Sequence, residues 1–383
     1  MTKERQQQIV DEAREFAAVK IRPFAKAFED NEAIPESLIA ELGEAGYLGA
    51  SLPEEYGGLD LDAYHYGLLT EEIGKACCST RSLLTVHTSL VGETLVRWAT
   101  DEQKKKWLPE LAAGKKIAAF ALSEPNIGSN AKGITTSYRK TDKGYILNGE
   151  KKWITFGHRA DLFLVIAADD GDISAFMVER NCEGVVTEPI TGMLAGRASY
   201  ISNITFKDVF IPEENCVGSP GNGFTYIANT ALDNGRFSIA FAGLAIAQEA
   251  LDVMVSYSRQ RNQFGQKICN FQLVQGIIGD AVTQVHAARA LCASAAQKRM
   301  AKDPNAVMET TIAKYFTSEA AMKVATDAVQ VLGGNGCHDA FPTERLFREA
   351  KILAIIEGTS QIQQEIIAKF GLLEYFKGPL FND

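Results

Sequence analysis

The spacing of apolar residues changes character twice along the chain. In the first stretch Ile9, Val10, Ala13, Phe16 and Ala17 recur at three- and four-residue intervals, which places them on one face of a helix. The segment "PESLIAELGEAGYLG" keeps that period and ends at a glycine stop. "LPEEYGG" reads as a loop, and "LDAYHYGLLTEEIGKA" resumes the helical period. Near Phe120 the texture shortens. "GYILNGEKKWITFG" sets Asn148-Gly149 between two apolar segments, which predicts a hairpin turn. "DLFLVIAADDGDISAFMVER" predicts two strands around Asp169-Asp170-Gly171-Asp172, and "YISNITFKDVFIP" alternates with period two. From about residue 226 the helical period returns in long runs. Val274, Ile277, Ile278, Ala281, Val282, Val285 and Ala288 predict one helix. Ile312, Phe316, Ala320, Val324, Ala328 and Val331 predict another, stopped by Gly333-Gly334, with Asp303-Pro304 as N-cap and first helical residue. The pattern predicts an α+β chain: a helical domain over 1–120, an antiparallel β domain over 121–225 and an antiparallel helical bundle over 226–383.

One carboxylate interrupts the bundle pattern. Leu353, Ala354, Ile355 and Ile356 lead without a polar break into Glu357, followed by Gly358-Thr359-Ser360. Ser360 with Gln363 reads as a capping box, which starts a helix through Phe370 with Ile362, Ile366 and Ile367 toward a core. Glu357 is then either a loop residue in reach of water or a base held in an oily pocket. In such a pocket desolvation makes an ionised carboxylate a stronger base.

Composition narrows the function classes. A chain of 383 residues, 46% apolar and 23% charged, has material for two or three domains and no disorder signature. A net charge of −9 argues against general affinity for nucleic acid or anionic membrane. The seven cysteines are scattered without a C-x-x-C, and the five histidines lack ligand spacing, so neither a disulfide framework nor a metal site is indicated. A reducing cytoplasm fits best. The N-terminus is unlike a targeting segment, and no apolar run is expected to reach membrane length.

Four short stretches carry candidate chemistry. In "ALSEPNIGSN" Ser123, Gly128 and Ser129 offer backbone N–H groups and hydroxyls to a polar ligand, although a plain turn reads the same way. In "KKWITFG" Trp153 and Thr155 share one strand face, which suits stacking on a flat cofactor or a core tryptophan beside a surface threonine. In "RQRNQFGQ" Arg261 suits pyrophosphate and Phe264 suits a base, against a solvated helix end. "QVLGGNG" permits close backbone approach or simply ends a helix; it is no dinucleotide fingerprint, because it does not follow a strand or open a helix.

Taken in order, "LPEEYGG", "SEPNIGSN", "LNGEKKWIT", "RNQFGQ", "FQLVQ", "QVLGGNG", "FREAKILAIIEGTS" and "QIQQEIIA" resemble the acyl-CoA dehydrogenase family over nearly the whole chain. The resemblance implies an N-terminal helical domain, a middle β-barrel and a C-terminal four-helix bundle, with FAD between barrel and bundle and a homodimer or homotetramer as the assembly. Carried over by position, Leu122, Ser123, Gly128, Ser129, Trp153 and Thr155 contact the flavin from the β side, and Thr359 and Gln361 from the bundle side. Arg261, Phe264, Gln272, Gln330 and Gly334 match positions that reach the FAD of the neighbouring subunit. Glu357 matches the family's usual base: it takes the α-proton of an acyl thioester while the β-hydride goes to flavin N5, leaving a trans-2-enoyl thioester. The Glu357 backbone N–H, beside Gly358, and a ribityl hydroxyl hold the thioester carbonyl.

Some relatives draw the base from the position held here by Gly235, which cannot take a proton; Arg236 next to it matches a substrate-contacting arginine. The match departs at Asn130, Phe156 and Ile356, where relatives commonly have aspartate, asparagine or glycine, and tyrosine. "LDNGRFSIAFAG" and "IIEGTSQIQQ" also resemble relatives in polyketide-type pathways that act on acyl-carrier-protein substrates, including 2-hydroxyacyl extender units. A flavin oxidase or monooxygenase, and a carrier-binding scaffold without activity, are the other readings. The family's usual electron acceptor is an electron-transferring flavoprotein.

Overall fold

A computed structural model describes residues 1–378. Its contacts divide the chain into two units, Met1–Ser238 and Ile239 onward. The first opens with seven helices: α1 (Lys3–Phe16), α2 (Ala25–Asn31), α3 (Glu36–Glu44), α4 (Ala63–Ala76), α5 (Cys78–Leu83), α6 (Glu93–Trp98) and α7 (Asp101–Ala112). Their starts are set locally. Thr2 and Asp62 accept first-turn N–H groups at α1 and α4, and Thr100 with Gln103 forms a capping box at α7. Ile9, Val10 and Ala13 of α1 are buried, with Ala17 just beyond, as their spacing predicts, while Phe16 is half-buried. Between α5 and α6 the chain widens into π-helical turns over Leu84–Gly92, every residue of which is buried.

The strands are β1 (Ala118–Ala121), β2 (Ser137–Thr141), β3 (Gly144–Ile154), β4 (Leu162–Asp169), β5 (Asp172–Glu179), β6 (Val185–Pro189), β7 (Ser202–Pro212) and β8 (Cys216–Val217). They form one sheet in the order β6-β7-β3-β2-β4-β5-β8, with β1 also paired to β4. One expectation changes here. The sheet is mixed rather than purely antiparallel: β1 runs parallel to β4 from Ala118↔Leu162 to Ala121↔Val165, and β2 meets β4 in parallel at Ser137↔Ala168. The pairing path runs from β6 at one end to β8 at the other.

Asn148-Gly149, the predicted hairpin turn, lies inside β3 instead. The β2–β3 reversal falls at Thr141–Gly144, and at Asn148 the β3–β7 register shifts by a bulge. In the bulge the Asn148 side chain accepts from the Asp208 N–H at 2.8 Å and donates to the Asp208 carboxylate at 3.1 Å. An Asn-Gly pair favours positive φ, and a bulge uses that preference as readily as a tight turn does.

Helix α8 (Asn229–Gln260) crosses from the first unit into the second. With its leading turn from Gly223 it spans 38 residues and is long and apolar enough to cross a membrane, contrary to the expectation from the sequence. Yet 78% of its most apolar window is buried inside the fold, which marks a core helix. The second unit continues with a short hairpin, β9 (Asn262–Gln263) and β10 (Gln266–Lys267), and four helices: α9 (Gln272–Met300), α10 (Ala306–Leu332), α11 (Thr343–Leu353) and α12 (Ser360–Glu374).

Helix α10 begins at Ala306 rather than Pro304, because the Asp303 carboxylate accepts the Asn305 N–H at 2.7 Å and closes a turn first. Its buried face differs from the predicted stripe: Ala320, Val324 and Ala328 are buried, but Ile312, Phe316 and Val331 are only half-buried while Lys314, Thr317 and Ser318 are fully enclosed. On α9, Ala281, Val285 and Ala288 are buried and Val282 is exposed.

Gly149 tests the bulge. Its φ is +141°, and a Cβ there would stand 2.6 Å from the Thr136 backbone. Gly149→Ala is expected to lower the unfolding free energy by about 1–3 kcal/mol, seen as a lower urea midpoint at unchanged m-value.

Candidate active site

The loop at Leu122–Ser129 leaves β1 and is fastened to β3. The Lys152 N–H donates to the Ser123 carbonyl at 2.9 Å, and the Lys151 ammonium donates to the Leu122 carbonyl at 3.0 Å. Lys151 also meets the Glu124 carboxylate at 2.8 Å, both side chains being almost wholly buried. Glu124 accepts further from the Thr135 N–H and hydroxyl and from the Thr136 N–H, so a buried charge pair is closed off by neutral donors. Glu124 and Ile127 exchange two backbone hydrogen bonds, which folds the loop back before Gly128 and Ser129, both exposed.

This arrangement brings Leu122 and Ser123 beside the end of β3, which carries Trp153; Thr155 lies just past the strand in the following turn, so the two do not share a strand face as expected. Trp153 sits at φ +63° with half its surface exposed, its ring 4.8 Å from the Lys152 ammonium. A large indole held open in a strained backbone at a strand end is unusual unless something covers it. Thr155 is half-buried, and Phe156 is fully buried at φ +57° with its N–H on the Ser199 carbonyl at 2.7 Å. The phenyl at this departure from the family pattern therefore fills core. Asn130 supports its loop by accepting the Gly133 N–H at 2.8 Å. Arg236 is half-buried on α8 and Gly235 is buried.

In the second unit Glu357 and Gly358 join α11 to α12, at φ +53° and +87°. Glu357 is half-buried, and one of its carboxylate oxygens is shut away from solvent. Ile355 and Ile356 just before it are exposed at 55% and 38%, so the apolar run lines a surface rather than a core. The predicted capping box is not formed. Thr359 is the N-cap, its hydroxyl accepting the Ile362 N–H at 3.3 Å, and Gln363 turns away to donate to the Glu357 and Gly358 carbonyls at 3.1 and 3.0 Å. Ile362, Ile366 and Ile367 are half-buried. Gln361 is exposed in the first turn of α12.

Arg261, Phe264, Gln272, Gln330 and Gly334 are all exposed. Phe264, at the β9–β10 turn, is 93% exposed at φ +49°. A Cβ at Gly334 would meet nothing within 4 Å, so backbone there is open to close approach. Sequence reasoning missed Glu124, Lys151, Lys314 and the true direction of Gln363. An i, i+4 scan counts lysine as a solvent residue, and only the tertiary contacts place these two inside.

Burial works against the Glu124 carboxylate, yet the hydrogen bond and charge of Lys151, with the Thr135 and Thr136 N–H groups, outweigh it and hold its pKa down at about 2. At Lys151 burial dominates, Glu124 offsets it in part, and the ammonium titrates low, at about 8. Because the folded Glu124 releases its proton more readily than the unfolded chain, its stabilisation is fully present above the ordinary value of 4.5 and is lost as pH falls toward 2. The urea midpoint is therefore expected to drop less between about pH 5 and about pH 3 in Glu124→Gln/Lys151→Met, which removes both charges, than in the parent protein.

Comparison with known proteins identifies the family. The acyl-CoA dehydrogenase N-terminal, middle and C-terminal domain families match residues 3–115, 119–209 and 221–372. The mitochondrial short-chain specific acyl-CoA dehydrogenase of Mus musculus is 37% identical over 377 residues, 97% of this chain and 91% of that protein. The structure of butyryl-CoA dehydrogenase from Megasphaera elsdenii aligns at TM-score 0.93 and 36% identity, over 97% of this chain and 99% of that one. A chain in a structure concerning the electron transferring flavoprotein of Acidaminococcus fermentans aligns at TM-score 0.94 and 38% identity, over 97% and 98% of the two chains. With helical, sheet and helical regions in the same order and three family matches across them, the chain belongs to the acyl-CoA dehydrogenase family of FAD-dependent oxidoreductases.

Proposed function

We propose that the protein dehydrogenates a short acyl-CoA thioester, with Glu357 as the base. The setting of Glu357 carries this reading: a half-buried carboxylate with one oxygen closed to solvent, in a strained left-handed backbone after two exposed isoleucines. A thioester carbonyl acidifies its α-hydrogen only modestly, so removal needs a desolvated base and donors that stabilise the developing enolate. The Glu357 N–H is the protein's donor to that carbonyl, and its carboxylate takes the α-proton. Arg236 and Gly358 border the acyl-CoA. The relatives favour a CoA thioester over the carrier-bound alternative, since those with 36–37% identity are named for short-chain and butyryl-CoA substrates.

The residues fit FAD. Trp153 holds half its indole open beside Thr155, Leu122 and Ser123 are clamped next to that strand, and Gly128 leaves open space for a polar ligand's approach. These, with Ser129, would hold the isoalloxazine and ribityl region, and Thr359 and Gln361 would meet it from the bundle. Bound FAD supplies the acceptor for the β-hydrogen as hydride. The almost wholly exposed Phe264, with Arg261, Gln272, Gln330 and Gly334, is read as a surface for the FAD of a neighbouring copy, which makes the assembly a homodimer or homotetramer and links cofactor retention to association. This reading keeps three domains, 1–120, 121–225 and 226–383, with the sheet curled as a barrel and the last domain as a four-helix bundle. The electron acceptor is an electron-transferring flavoprotein, in line with the Acidaminococcus structure. Seven free cysteines suit the cytoplasm.

Anaerobic bleaching of bound flavin by CoA and carrier-bound thioesters tests the reaction and its substrate class. Butyryl-CoA is expected to bleach it, and Glu357→Gln to keep its yellow colour while reducing at least about 10³-fold more slowly. Undiminished bleaching in that variant would remove Glu357 from the mechanism.

A further inference from the structure

Lys314 lies in the third turn of α10 with no exposed surface. Enclosing an ammonium carries a desolvation cost that its partners must offset, so the groups it meets show what it holds. The ammonium donates to the Gly358 carbonyl at 2.7 Å. Gln363, fully buried in the first turn of α12, approaches the same peptide and donates to the carbonyls of both Glu357 and Gly358. Its own Oε1 is buried with no hydrogen-bond partner among the described residues, so the amide is turned toward those carbonyls at the expense of its other end.

The chain on either side is fastened as well. Before Glu357, the Ile355 and Ile356 N–H groups both donate to the Ile352 carbonyl, at 2.9 and 3.1 Å. After it, the Ser360 N–H returns to the Ala354 carbonyl at 2.9 Å, and the Ser318 hydroxyl holds the Leu353 carbonyl at 3.2 Å. A Cβ at position 358 would stand 2.6 Å from Gln363 Nε2, so this grip requires glycine there. Peptide units are planar and trans, so holding two successive carbonyls fixes the planes after Glu357. The residue then cannot relax out of the left-handed region that a glutamate otherwise avoids.

We propose that Lys314 and Gln363 are positioning residues which lock the Glu357–Gly358 backbone, and through it aim the base and its N–H at the thioester. The proposal rests on the assignment of Glu357 as the base. Neither residue takes a proton or touches the reacting atoms; each acts through the backbone it holds.

The test uses FAD-loaded Lys314→Met and Gln363→Met with butyryl-CoA, and every rate is taken per bound FAD. At saturating thioester, anaerobic flavin reduction in Lys314→Met is expected to fall at least about thirtyfold, because small misplacement of a reacting group costs rate steeply. Exchange of the thioester α-hydrogen with solvent deuterium should fall in parallel, while crotonyl-CoA affinity stays within about threefold. Thermal unfolding of the FAD-loaded variant is followed alongside, so that a rate loss is read only where the fold and FAD are retained. Gln363→Met should shift the same readouts in the same direction. Rates per FAD within about twofold of the parent in both variants would overturn the proposal. So would loss of the fold or of FAD in both, which would mark the pair as structural; if only one variant holds FAD, its rate decides. Glu357→Gln runs alongside. Full reduction in that variant sinks the base assignment itself, whereas an inactive Glu357→Gln beside fully active Lys314→Met and Gln363→Met sinks only the positioning role.

Discussion

The backbone turns left-handed twice in succession at Glu357 and Gly358, and the proposed chemistry depends on that turn being held. A glutamate left to itself moves to negative φ, and its N–H and carboxylate would move with it. Polar groups from α10 and α12 converge on its two carbonyls and hold it. A hydrogen bond donated by an ammonium is stronger than one between neutral groups, and the donors, Lys314 and Gln363, are themselves fully buried. A purely apolar packing would fill the same volume but would leave the peptide planes free to choose.

The β side is built on the same principle with different parts. Lys151 reaches through the interior to the Leu122 carbonyl, and Glu124 balances its charge while binding the Thr135 and Thr136 N–H groups. Both units therefore place an enclosed lysine on a backbone carbonyl next to residues assigned to cofactor or substrate. Buried ammonium groups are poor contributors to net stability. Their use in this protein makes sense as fixed geometry: a preorganised site needs no rearrangement when charge develops on the substrate.

Exposed residues tell the complementary story. Trp153 and Phe264 keep large aromatic surfaces open at positive φ, where an ordinary surface would carry a small or charged side chain. Both positions share with Glu357 a left-handed backbone that a non-glycine residue seldom keeps.

By itself the sequence determined the order of helical, sheet and helical regions, since apolar period follows from local geometry and the two textures are unmistakable over runs as long as Val274–Ala288 or Leu162–Glu179. It also carried the motifs that identify the family. It did not determine what Asn148-Gly149 would do, because the same φ preference serves a turn or a bulge and the β3–β7 pairing decides between them. Nor did it determine that Gln363 would leave the cap of α12 to Thr359 and hold two carbonyls, or that Lys314 would lie inside. Local rules assign a lysine to water and a glutamine to the nearest N–H. Only the packing of α10 and α12 around the Glu357 loop removes the water and offers carbonyls in its place, and that choice is made by residues more than forty positions apart, such as Lys314 and Gly358.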